Sequence, residues 1–339
     1  MTNHSNPVIR QLVHKNVLVT GGGGFIGSWL SRFLAANGAR VTILVRKECK
    51  SRALNCGNVD PSVNIVQGKV EDAEFIDNVL NKVQFDVVFH LASTNDNRGL
   101  VEPASRVLDT NILGTWNLLS GAQKFLSPRS VIVLASSAEL SRLKTPGERQ
   151  LADNATLVYP YHVAKKCAET IGEMFFDQYG LKLASVRLPN VFGGGDQNLS
   201  RIVPSIISDL LEGKTPELRT SNNSARRYIY VEDVVDSLLT VVGHLSSDRV
   251  DSCCFGFSPR PALTTTALLN MIMEEFCGEP IENTGHQVSL DLTEGEGLGL
   301  IPTLESIGWR EKIGVRRGLA KVIAWYRESG AVDRERSGW

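Results

Sequence analysis

Tyr161 and Lys165 stand four positions apart in PYHVAKKCAE, a stretch that otherwise reads as helix. Positions i and i+4 stack on one helix face, so a cation at 165 reaches the ring and hydroxyl presented by 161. A nearby ammonium favours the phenolate and makes a tyrosine of ordinary pKa a usable proton donor and acceptor. The same spacing also suits a packed tyrosine beside a solvated lysine, so the rest of the chain decides between the two. Lys166 falls about 100° further around the helix and takes no part in the pair.

A second chemical signal lies near the N-terminus. VTGGGGFIG carries Gly21, Gly24 and Gly27 as GxxGxxG, and Gly22, Gly24 and Gly27 fit GxGxxG as well. Glycines are needed where a turn is tight, where backbone approaches a pyrophosphate and where a helix packs close to its strand. With Phe25 and Ile26 opening the helix that follows, its N-terminus is placed to bind phosphates. At the end of the second strand an acid suits a ribose 2′-hydroxyl and a cation a 2′-phosphate. The chain has Val45, Arg46 and Lys47 there, which favours NADP over NAD; Arg46 lying over the adenine ring or in solvent is the alternative.

The elements that hold these residues alternate. NVLVT reads as a strand and FIGSWLSRFLAANG as a helix with apolar residues at 26, 29, 30, 33 and 34. ARVTILV and VNIVQG read as strands, DAEFIDNVLNKV as a helix, FDVVFHLA as a strand, NILGTWNLLSGAQKF as a helix, and SVIVLASS and LKLASVRL as strands. Near-continuous apolar strands suit a parallel sheet with helices on both faces, and right-handed crossovers make it doubly wound. Ligands of such sheets gather beyond the carboxyl ends of the strands, where the residues above fall. The expected division is an N-terminal tail at 1–12, a dinucleotide-binding domain at 13–190 to which 226–258 returns, and a smaller substrate-binding lobe from 191–225 and 259–339.

Composition narrows the classes of function. The 339 residues are 42% hydrophobic, and 36 Lys and Arg against 37 Asp and Glu leave a formal charge of -1. That balance offers no basic excess for nucleic acid or an anionic membrane, so an anionic ligand has to be held by local groups. The sequence has no long apolar run and no apolar leader, and the expected location is cytoplasmic. Cysteines at 49, 56, 167, 253, 254 and 277 form no CxxC pair, which suits reduced thiols and no metal site.

Taken together, VLVTGGGGFIGSWL, DVVFHLAS, TNILGTWNLL, VLASSAEL, YHVAK, VRLPNVFGGG, RRYIYVEDVVDSLL and the C-terminal SIGWREKIGVRRGLAKVIAWYRE resemble an extended short-chain dehydrogenase/reductase of the nucleotide-sugar epimerase and dehydratase family. The resemblance implies a Rossmann α/β fold with a smaller C-terminal substrate lobe, and a homodimer. It gives Tyr161 the proton of a sugar hydroxyl, Lys165 the tuning of that tyrosine and a bond to the nicotinamide ribose, and Ser137 a bond to the same sugar oxygen. Leu91, Ala92 and Ser93, after His90, line the ribose-phosphate side of the cofactor. Asn111 is expected near that side too, or as a residue that pins a loop. Asn190 and Arg227 match positions that contact the substrate diphosphate. His90 itself reads as a satisfied core histidine rather than a base.

Departures from the family pattern shape the expected reaction. Dehydratases place an acid after the serine or threonine and a glutamate after that; here Ser137 is followed by Ala138 and Glu139, so the first acid is missing. Glu139 is left as substrate-binding or incidental. Leu140, Ser141 and Arg142 replace the expected VYG, and Lys69 stands where an acid often contacts adenine, with Asp72 slightly later. The leading expectation is oxidoreduction at C4 of a nucleotide-diphosphate sugar, by a 4-ketosugar reductase or a 4-epimerase. A 4,6-dehydratase, a reductase of a non-sugar carbonyl and a dinucleotide-binding regulator without turnover are the alternatives.

Overall fold

The structure is a computed structural model that describes residues 7–46, 62–94, 103–142, 159–216, 225–247, 250, 252–258, 262–278 and 301–329. It divides into two compact units. The first comprises Met1–Leu188, Val235–Ser258 and Glu296–Trp309, and the second Pro189–Val234, Pro259–Gly295 and Arg310–Trp339.

The first unit runs α1 (Pro7–Leu12), β1 (Asn16–Thr20), α2 (Phe25–Ala36), β2 (Arg40–Val45), β3 (Asn64–Gln67), α3 (Ala73–Lys82) and β4 (Val87–His90). It continues through α4 (Ala104–Leu108), a π turn (Asp109–Leu113), α5 (Gly114–Phe125), β5 (Val131–Ser137), α6 (Pro160–Tyr179) and β6 (Lys182–Leu188). β7 (Asn190–Phe192) and β8 (Tyr228–Tyr230) lie in the second unit, and β9 (Cys254–Gly256) returns to the first. The sheet has seven strands in the order β3-β2-β1-β4-β5-β6-β9, and each neighbouring pair is parallel. This is the Rossmann-like doubly wound arrangement, with the order reversing between β1 and β4.

Burial on both faces explains the strand composition. Leu18, Val88, Ile132 and Leu183 join Ile76 and Leu80 of α3, Leu118 and Leu119 of α5 and Phe175 of α6 in one core layer. Their sequence neighbours Val17, Val19, Phe89, Val133 and Ala184 are as completely buried on the other face. Capping sets the helix ends. Asp72 accepts from the Phe75 amide at 3.0 Å to start α3, while Pro160 starts α6 and Gly180, at φ +64°, ends it.

Three segments depart from the sequence reading. Residues 7–12, expected as tail, form α1, with Ile9 and Leu12 buried. The stretch 301–309, expected in the lobe, joins the first unit: the Gly256 amide donates to the Pro302 carbonyl at 3.1 Å, and Trp309 packs edge-on to Phe257. The return of 226–258 begins only at Val235, because Tyr228–Tyr230 pairs in parallel with Asn190–Phe192 inside the second unit. Tertiary contacts, rather than local period, decide which unit each of these segments joins.

The second unit adds α7 (Ile202–Leu211), the start of α8 (Val231–Leu245), α9 (Thr265–Cys277) and α10 (Val315–Ser329) to its two strands. Asp233 accepts from the amides of Lys312 and Ile313 at 2.9 Å each, which fixes the approach to α10. Along α10, Gly318 meets the Phe192 ring and the Tyr326 hydroxyl donates to the Asp196 carbonyl.

Candidate active site

The glycine turn connects β1 to α2 beside the reversal of strand order. Gly21 adopts φ +69°, and a Cβ there would stand 2.7 Å from the Ala92 amide nitrogen, so the turn packs directly on the segment after β4. A Cβ on Gly27 would collide with the Gly21 carbonyl, which keeps α2 close to its strand. Gly24 is the N-cap of α2 and is exposed, with no side chain capping the first turn; Phe25 and Ile26 follow it half-buried. Helix N–H groups left in this way are suited to phosphate oxygens. A dinucleotide therefore fits the turn.

Two orphaned polar atoms lie just after the two strands that flank β1. Arg46, directly after β2, has its Nη1 buried without a hydrogen-bond partner among the described residues, and Ser93, after β4, has its Oγ in the same condition. Leu91 and Ala92 are half-buried beside them. Lys69 is exposed and Asp72 is committed to its helix cap. Lys47 lies outside the described residues.

Behind this edge runs a closed chain of hydrogen bonds. His90 Nδ1 is 2.8 Å from Thr20 Oγ1 and His90 Nε2 is 3.1 Å from Thr115 Oγ1. Thr115 donates to the Asn111 carbonyl at 2.7 Å, so it accepts from Nε2–H; the Thr20 hydroxyl then donates to Nδ1 while accepting from the Ala92 amide at 3.3 Å. Burial first, and then the charge of Lys165, push the His90 pKa down to about 3, so the imidazole is neutral. Asn111 sits in the π turn and spends its amide on Thr94, donating to the carbonyl at 2.8 Å and accepting from the amide at 3.0 Å. Its position bears on a cofactor through the loop it pins.

At the carboxyl end of β5 lie the residues with acid–base chemistry. Ser137 is buried, and its Oγ accepts from the Glu139 amide at 3.3 Å. Lys165 is 6% exposed; its Nζ donates to the Ala135 carbonyl at 2.7 Å and stands 6.0 Å from the centre of the half-buried Tyr161 ring. Burial lowers the Lys165 pKa to about 8, against the opposing pull of Glu169. Helix α6 thus ties its lysine to the strand that ends in Ser137, with the tyrosine one turn earlier on the same helix. Lys166 has a half-exposed side chain.

Two side chains that the sequence reading passes over enter this region. Glu169 is 1% exposed and binds Arg187 of β6 through two hydrogen bonds and Ser136 of β5 through a third. His162, next to Tyr161, is buried with Nδ1 lacking a partner among the described residues, its ring edge-on to those of Tyr159 and Tyr161. Burial lowers its pKa, and Glu139 works in the opposite direction. The i+4 spacing of Glu169 from Lys165 was the only sequence signal for either.

The two diphosphate candidates belong to the second unit. Asn190 is exposed at the start of β7; its amide nitrogen and its Nδ2 both donate to the Arg227 carbonyl, at 3.0 and 3.3 Å. That fixes the backbone of Arg227, a half-buried residue. Among the described residues no group of three or more His, Cys, Asp or Glu is arranged to hold a metal, and no helix is long and apolar enough to cross a membrane.

A family model described as NAD dependent epimerase/dehydratase family matches residues 17–251. A CDP-glucose 4,6-dehydratase of Salmonella typhimurium is 25% identical, with 92% of this chain and 90% of that protein covered. A UDP-glucose 4-epimerase of Mycolicibacterium smegmatis is 26% identical, over 91% of this chain and 98% of that one. Among solved structures, UDP-glucose 4-epimerase of Thermotoga maritima with UDP-glucose superposes with a TM-score of 0.72 at 24% identity, covering 93% of this chain and 99% of that chain.

Proposed function

We propose, from the premise that the chain belongs to the NAD dependent epimerase/dehydratase family, that it is an enzyme catalysing oxidoreduction at C4 of a nucleotide-diphosphate sugar, as a 4-ketosugar reductase or a 4-epimerase. The observation that carries this reading is the buried Lys165 ammonium beside Tyr161, tied to the strand that ends in Ser137. A bound nicotinamide would supply the hydride chemistry. Tyr161 takes the proton of the C4 hydroxyl on oxidation and returns one on reduction. Lys165 remains protonated below about pH 8 and favours the phenolate. Ser137 hydrogen-bonds the same oxygen, Arg227 pairs with the diphosphate through its guanidinium, and Asn190 holds Arg227 in place.

Gly21, Gly24, Phe25, Ile26 and Gly27 would hold the pyrophosphate, and Leu91, Ala92 and Ser93 the ribose side, with Asn111 fixing the loop beyond them. For the dinucleotide itself we favour NADP, although the family is described as NAD dependent. The support is Arg46, whose orphaned Nη1 suits a 2′-phosphate. Glu139 is assigned to substrate binding. Ala138, where a dehydratase carries its acid, ranks 4,6-dehydration behind reduction and epimerisation.

We also favour a cytoplasmic homodimer. Among the described residues, five of the seven exposed large apolar side chains, Leu108, Leu113, Trp116, Val163 and Tyr179, lie on α4, the π turn, α5 and α6, which suits a second copy of the chain.

Purified protein separates the reactions when it is mixed with each dinucleotide and a panel of nucleotide-diphosphate sugars and 4-ketosugars. Stoichiometric NADPH oxidation with a 4-ketosugar supports reduction. Inversion at C4 with no net change in cofactor supports epimerisation. Turnover that ignores the nucleotide diphosphate would reject the sugar-nucleotide reading.

A further inference from the structure

Glu169 joins three strands to the helix that carries Tyr161 and Lys165. Ser136 Oγ donates to its Oε1 at 2.6 Å, Arg187 Nε to Oε1 at 2.9 Å and Arg187 Nη2 to Oε2 at 2.8 Å. Ser136 and Arg187 are register partners on β5 and β6, so a single carboxylate clasps both strands at the same rung. Cys254 of β9 lies 3.9 Å from Oε1. Ser136 immediately precedes Ser137, and Lys165 lies one helical turn before Glu169 on α6.

We propose that Glu169 is a positioning residue for the Tyr161–Lys165 pair: its buried carboxylate keeps the Lys165 ammonium charged, and so keeps the Tyr161 phenol acidic, while it holds α6 against the strand ends that carry Ser137. The inference rests on the reading of Tyr161 and Lys165 as the proton-handling pair.

Charge placement determines the sign. Glu169 acts on both the buried Lys165 and the half-buried Arg187, and neutralising it removes the carboxylate that, among the described residues, offsets the desolvation of Lys165. The other groups around the cluster cannot replace it. His90 on β4 is neutral, and burial pushes the Cys254 thiol on β9 up to about 12 and that of Cys253 up to about 11. From β5 come the Ser136 hydroxyl and the Ala135 carbonyl, neither of which is ionised. On α6 itself, Lys166 approaches Glu169 at 3.9 Å as a further cation, and Glu173 acts on Arg187 and the thiols. Without the carboxylate, Lys165 loses its proton at lower pH, and the phenolate loses its counter-cation.

The test follows phenolate absorbance against pH in the full chain, as the difference between each protein and its Tyr161→Phe counterpart, and needs neither substrate nor turnover. In the natural chain Tyr161 should titrate below the ordinary tyrosine value of about 10. Glu169→Gln should raise that midpoint by about one pH unit, a tenfold change, and Glu169→Asp should restore most of it. A residue that only supports folding would lower stability in both variants and leave the midpoint in place. Should Glu169→Gln not fold, the double variant Glu169→Gln/Arg187→Met removes both charges and is expected to keep the raised midpoint. A lowered midpoint shared by natural chain and variants, or failure of both variants to fold, overturns the proposal alone. A midpoint near that of free tyrosine in the natural chain overturns the Tyr161–Lys165 reading itself.

Discussion

Lys165 donates to the Ala135 carbonyl at 2.7 Å, which ties the ammonium to β5 two residues before Ser137 while it stands 6.0 Å from the Tyr161 ring centre. The lysine is therefore held by the strand as well as by its own helix, and removing the tyrosine hydroxyl leaves that anchor intact. Tyr161→Phe is expected to cut turnover by about 100-fold or more with cofactor affinity nearly unchanged. Steady-state rates beside a fluorescence titration of the dinucleotide check both halves, and unchanged turnover would remove Tyr161 from the reaction.

The same burial sets a pH limit. Lys165 has a pKa lowered to about 8, and the proposed reaction uses its charged form. Activity, as kcat/KM, should fall as pH rises through about 8, the side of the profile on which the proton leaves. A rate that stays flat to pH 10 would contradict the role given to the ammonium.

The proposed preference for NADP is tested at Arg46. Its buried Nη1 lacks a partner among the described residues, and a charge-assisted bond to a 2′-phosphate contributes about 1.5–3 kcal/mol. Arg46→Ala should weaken NADP binding by about 10- to 100-fold and leave NAD almost untouched, as calorimetric titration of each would record. An equal loss for both would place the side chain on the adenine instead.

His90 makes the fold sensitive to acid. It is neutral and buried with a pKa of about 3, whereas the unfolded chain binds a proton near 6.5. The unfolded state holds the extra proton between those values, so this contribution is complete above about pH 6.5 and declines as pH falls toward 3. Denaturant midpoints measured across that range should fall in the natural chain and fall less steeply in His90→Gln.

The exposed apolar row on α4 to α6 predicts association. Leu113→Glu together with Trp116→Glu should turn a dimer into a monomer, read by sedimentation velocity. A natural chain that sediments as a monomer at micromolar concentration would dismiss the second copy.

Sequence pattern revealed what depends on local spacing. The Tyr161–Lys165 interval, the glycines of the first turn and the apolar strands are all periodic or consecutive, and the parallel sheet follows from them. Asp72 is instructive: an aspartate three residues before an amide at a helix start is a cap, and the structure uses it as one rather than as an adenine contact. The partners of Glu169 come from β5, β6 and β9, separated from it by 18 to 85 positions, and no period joins them. Asn111 likewise needs Thr94, 17 residues earlier, before its part becomes visible.

The discontinuity of the first unit bears on synthesis. β9 closes the open edge of β6, yet it emerges from the ribosome only after the intervening stretch Pro189–Val234 has been made. Until then the nascent sheet presents β6 with a free row of amides and carbonyls, the condition that invites pairing between chains. A shortened gene ending near Leu188 should accordingly yield aggregate rather than a smaller nucleotide-binding protein.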